Sequence, residues 1–159
     1  MKILMFSDFH ISNIDFNIDE AIHIIDKAYE AVCVELDINE IIIILICGDI
    51  INMGSAESFD EAGQIFDHIR NKFADLDVKF RFVPGNHDIC NGSLAHFDEF
   101  TRKYSDFHTN YSTVSAYSEQ IENVNVIYAS SVQNGNHDFG QLDYEEIKDT
   151  IMSKISHGH

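Results

Sequence analysis

The chain has 159 residues, 45% of them apolar, which is long enough for one domain with a buried core. Its 10 basic and 27 acidic side chains leave a net charge of −17, which excludes a broad basic footprint for nucleic acid and disfavours an anionic membrane surface. The longest apolar run, Ile41 to Cys47, is too short to cross a bilayer, the N-terminus lacks a secretory-signal pattern, and the 3 scattered cysteines form no disulfide framework, so a reducing cytoplasm is expected.

In chain order, Lys2 to Ser7 reads as a buried strand. Asp19 to Leu36 follows with apolar residues at helical spacing, and Asp19 and Glu20 suit the positive end of that helix. The isoleucine run from Ile41 to Cys47 reads as a second strand, buried on both sides. Phe59 to Phe73 reads as a helix, and Phe80 to Pro84 as a third buried strand. A weaker helix is expected near Leu94 to Tyr104, a fourth strand at Val124 to Ala129, and a last helix from Gln141 to Ser153. Strands alternating with helices predict an α/β fold, a mainly parallel sheet flanked by helices on both faces, in one domain spanning 1–159. The pattern calls for a fifth strand after the last helix.

Three polar clusters end the first three strands: Asp8-Phe9-His10, Gly48-Asp49 and Gly85-Asn86-His87-Asp88. In open α/β sheets, ligands bind beyond the carboxyl ends of the strands, so one rim would gather all three. Asp8 and His10, two apart, would point to one side of an extended backbone and grip one ion. Asp49 has two carboxylate oxygens and could bridge a pair of ions about 3.5–4 Å apart. Asn86 offers a neutral amide oxygen. His87 could stand beside a substrate as a proton donor, with Asp88 holding its other ring nitrogen. Taken singly, each cluster is also what an ordinary polar turn looks like. Their order, at spacings of about 40 residues and each at a strand end, favours a shared site.

These clusters resemble the first three motifs of the calcineurin-like metallophosphoesterase superfamily, with the detailed match over residues 1 to 90. The resemblance implies hydrolysis of phosphate esters, most directly phosphodiesters, by a dinuclear metal centre and a metal-bound hydroxide. It implies that Asp8, His10 and Asp49 hold a first ion, that Asp49 and Asn86 hold a second, and that His87 protonates the leaving oxygen. The mixed oxygen and nitrogen donors suit manganese, iron or zinc better than calcium. The implied partner is a phosphate-ester substrate. Nucleic acid would have to bind without a basic patch.

The family pattern goes on to a single later histidine and a Gly-His-x-His motif. Ser156-His157-Gly158-His159 is the only counterpart, so the second ion is expected to be weakly held and the chain to be part of a longer enzyme. The alternative function is an impaired metal-binding module that needs a further region or a partner to complete the site. Asn134-Gly135-Asn136-His137-Asp138 repeats the letters of the third motif but follows no strand, and it reads as a loop.

Overall fold

The computed structural model describes residues 1–12, 17–34, 40–52, 55–132 and 140–155. The expectations for Asn134 to Asp138 and Ser156 to His159 lie outside these residues. The elements are β1 (Lys2–Phe6), α1 (Ile18–Cys33), β2 (Ile42–Cys47), α2 (Ala56–Lys72), β3 (Val78–Val83), a single 3-10 turn (Asn86–Asp88), α3 (Ala95–Thr101), β4 (Ala116–Ile121), β5 (Val124–Ala129) and α4 (Tyr144–Ile155).

Strands β1, β2 and β3 form a parallel sheet in that order, in register at Leu4↔Ile44 and Ile44↔Phe80. The side chains of Ile42, Ile44 and Ile46 join Phe80 and Phe82 on one face, where α1, α2 and α3 cover them with Ile25, Phe66 and Phe100. Each of these isoleucines is fully buried, which stabilises the fold by about 2 kcal/mol per side chain. Local sequence agrees with this packing. Asn17 caps α1 by accepting the Glu20 N–H, and Ser55 caps α2 by accepting the Ser58 N–H.

The expected α/β fold with a parallel sheet flanked by helices is present, with the helices of that sheet on one face. The second face carries a β-hairpin instead, and α4 packs on that hairpin. β5 is the expected fourth strand, but it pairs antiparallel with β4 and does not join the parallel sheet. The hairpin is tied on through Arg81 of β3, which is 2% exposed. Its guanidinium donates to Glu119 of β4 and to Asp106, and Tyr128 donates to Glu119 at 2.7 Å. β1 is an edge strand whose Ile3 and Met5 remain 54% and 68% exposed, not the buried strand expected. Of the cysteines, Cys90 is buried while Cys33 and Cys47 are only partly so, and none is paired. No described helix is long and apolar enough to cross a membrane.

Candidate metal centre

The loops after β1 and β2 continue to pair past the ends of their strands. The N–H of Asp8 donates to the Gly48 carbonyl, that of His10 to Asp49, and that of Ile11 to Ile50, at 3.2, 2.9 and 3.0 Å. Phe9 turns the other way, its ring centroid 5.9 Å from that of Phe66 in the core. This anchors the short segment between Asp8 and His10.

The ligating atoms of Asp8, His10 and Asp49 lie within 4.8 Å of one another. Nε2 of His10 stands 3.7 Å from Asp8 Oδ1 and 4.0 Å from Asp49 Oδ2. These separations are too long for hydrogen bonds. They are close to the roughly 3–4 Å that separates donors sharing one ion at about 2.0–2.2 Å. Among the described residues this is the only such group of three histidine, cysteine or carboxylate side chains.

The backbone was expected to stay extended between Asp8 and His10, and it does not. Asp8, His10 and Asp49 all have left-handed backbone, with φ of 56°, 46° and 52°. For non-glycine residues this costs about 1–2 kcal/mol each. Such strain gathers where a site over-determines the geometry. The ring nitrogen of His10 that faces the two carboxylates is Nε2, while its Nδ1 is buried with no hydrogen bond. Two carboxylates, the His10 Nε2 that faces both and strained backbone at all three positions fit a divalent cation.

The β3 loop closes on this group through glycine. A Cβ on Gly85 would lie 2.1 Å from Asp49 Oδ1 and 2.4 Å from Asp49 N, so only glycine admits the approach. Gly48, with φ +78°, lies against Gly85 in the same contact. The two oxygens of Asp49 are thereby divided. Oδ2 faces His10, while Oδ1 accepts the His87 N–H at 3.0 Å. Asn86 lines a cavity together with Asp49. The His87 ring stands edge-on to the His10 ring, with centroids 4.8 Å apart.

The expected pairing of Asp88 with His87 is corrected. The Nδ1–H of His87 donates to the backbone carbonyl of Asn52. The neutral ring therefore carries its lone pair on Nε2, and only the imidazolium can donate a proton from that atom. Asp88 is fully buried below the site. Its Oδ1 accepts the N–H groups of Ile50 and Ile51, at 2.9 and 3.3 Å, and its Oδ2 accepts the Gly85 N–H at 2.8 Å. Burial raises the Asp88 carboxyl to about 7, against the pull of these N–H donors. Asp88 thus clamps the β2 loop to the β3 loop. The carbonyl of Asn52 and the amides of Ile50 and Ile51 were not foreseen. They act through the backbone, which every residue type carries.

A family model for calcineurin-like phosphoesterases matches residues 1–137. No curated protein matches the chain. The match spans all three rim loops, and the donor group of Asp8, His10 and Asp49 agrees with divalent metal chemistry on phosphate esters. By this match and this geometry, the chain belongs to the calcineurin-like phosphoesterase family of metal-dependent hydrolases.

Proposed function

We propose that the chain is a phosphodiesterase with a two-metal centre. Asp8, His10 and Asp49 hold one divalent ion, and Asp49 with Asn86 holds a second. The observation that carries this reading is the convergence of the Asp8, His10 and Asp49 donors within 4.8 Å, with the other Asp49 oxygen turned to the Asn86 loop. Manganese, iron or zinc suits the mixed donors. When bound, such ions polarise the phosphoryl oxygens and lower the pKa of a water.

The chain's own residues supply the rest. The Asn52 carbonyl fixes the His87 ring, so that Nε2 of the imidazolium delivers its proton to the leaving oxygen as the phosphorus–oxygen bond breaks. Asp88 is a positioning residue that keeps Asp49 and Asn86 in one frame. The net charge of −17 favours a small ester over nucleic acid. The unpaired cysteines support a reducing, cytoplasmic setting, and the domain is read as one unit over 1–159.

A second reading, a metal-binding module with an incomplete centre, is favoured by the donor count. The first position has three donors, and the second has Asp49 and Asn86 alone among the described residues. One experiment addresses both readings. Manganese titration should give one tight and one weaker site, with hydrolysis of bis(p-nitrophenyl) phosphate following occupancy of the weaker one. Asp49→Ala should lose both sites, and Asn86→Ala only the weaker. Full metal retention in Asp49→Ala would refute the bridging role. Two filled sites without hydrolysis would leave the module.

A further inference from the structure

A cavity of about 630 Å³ opens beside the metal centre, within the size range of small-molecule sites. Asp49 and Asn86 stand at its rim. Leu45 and Val83 of the parallel sheet form one wall, and Ile127 of the hairpin with Leu142 forms the other. Asp8, His10 and His87 do not line it, nor does any lysine or arginine among the described residues.

These facts sort the groups of a bound phosphodiester. The leaving oxygen must face His87, which is outside the cavity. Asp49 and Asn86 line the cavity and His87 does not, so the group left to fill it is the ester group that stays on phosphorus. Among the described residues the cavity presents no cationic side chain to a second phosphate. An apolar group would instead cover Leu45, Val83, Ile127 and Leu142, and Leu142 is otherwise 55% exposed.

We propose that this cavity is the subsite for the retained ester group and that it selects phosphodiesters bearing an apolar alkyl or aryl substituent. This rests on the phosphodiesterase reading above. Water adds its oxygen to phosphorus, the bond to the leaving oxygen breaks, and the apolar group departs later as its phosphate monoester.

The test keeps the leaving group constant. Methyl, ethyl, propyl and butyl p-nitrophenyl phosphates all release nitrophenolate, so their rates differ through the retained group. With manganese, kcat/KM should rise about 4-fold per methylene, the value of one buried CH₂. Leu142→Asp, at an exposed position outside any helix or strand, should flatten the series, and Ile127→Ala should reduce its slope. A binding arm does not depend on turnover. Butyl methylphosphonate, but not methyl methylphosphonate, should shift the methyl NMR signals of Ile127 and Leu142. Hydrolysis with a flat series and unshifted methyls would overturn the subsite and leave the phosphodiesterase reading standing. No hydrolysis with shifted methyls would overturn the phosphodiesterase reading and with it the retained-group role, leaving only a cavity that binds an apolar phosphonate. Neither hydrolysis nor shifts would overturn both.

Discussion

Removing the Asp88 carboxylate should cost both stability and metal affinity, and the structure sets the scale. Three backbone N–H groups donate to it, from Ile50, Ile51 and Gly85, in a position with no solvent exposure. Asp88→Ala leaves all three without a partner, at about 1–3 kcal/mol for each buried group. The cost of burying the charge is removed at the same time, so the net loss should be about 3–5 kcal/mol. That is a large share of the 5–15 kcal/mol of a typical domain. Asp88→Asn should lose about 1–3 kcal/mol, because its oxygen still serves Ile50 and Ile51 while its NH₂ opposes the Gly85 N–H. Since Ile50 follows Asp49 and Gly85 precedes Asn86, freeing the loops should also weaken manganese binding by about 10–100-fold, the usual penalty for losing the support behind a ligand. Urea unfolding of the metal-free proteins and manganese titration of the folded ones measure the two effects. Asp88→Ala within 1 kcal/mol of the parent would refute the clamp. Lost stability with unchanged manganese affinity would refute its role in positioning Asp49 and Asn86.

Three further outcomes follow from the same geometry. His87→Ala should retain metal and lower turnover by about 10²–10⁴-fold for alkyl leaving groups; equal losses for alkyl and nitrophenyl leaving groups would refute the proton-donor role. Arg81→Met strips Glu119 of its buried cation and should cost about 3–5 kcal/mol, with faster amide exchange across β4 and β5 in hydrogen-exchange mass spectrometry. Unchanged exchange there would show that Arg81 does not hold the hairpin. The Asp88 carboxyl, raised by burial to about 7 from its ordinary value of 3.8, binds a proton in the folded state across a range where the unfolded chain has lost it. Its contribution to stability in EDTA should therefore fall as pH rises from 3.8 to 7. Asp88→Asn should lack that component, and identical pH slopes in the two proteins would contradict it.

The parallel sheet and its rim were legible because their signals are local. The apolar runs in β2 and β3 follow burial, that of β1 does not at Ile3 and Met5, and each run ends in a polar cluster that the parallel topology must carry to one edge. The hairpin was half legible. β5 has an apolar alternation, but β4, Ala116-Tyr117-Ser118-Glu119-Gln120-Ile121, mixes polar residues onto its buried side. Glu119 reads as a surface residue until Arg81, distant in sequence, neutralises it. The two strands meet at the turn Glu122-Asn123, where Glu122 has φ of 52°.

The amino-acid sequence by itself singled out the candidate site residues Asp8, His10, Asp49, Asn86 and His87, each placed after its strand by spacing and turn chemistry. Only the tertiary structure decided how those groups are held. The left-handed backbone at Asp8, His10 and Asp49 arises from pairing between loops about 40 residues apart. Asp88 and His87 are adjacent, yet each bonds backbone atoms from residues 50 to 52 and not its neighbour. A backbone amide or carbonyl is the same on every residue, so its partner leaves no mark in the sequence. Proximity in the folded chain chooses that partner, and proximity is set by packing over the whole sheet.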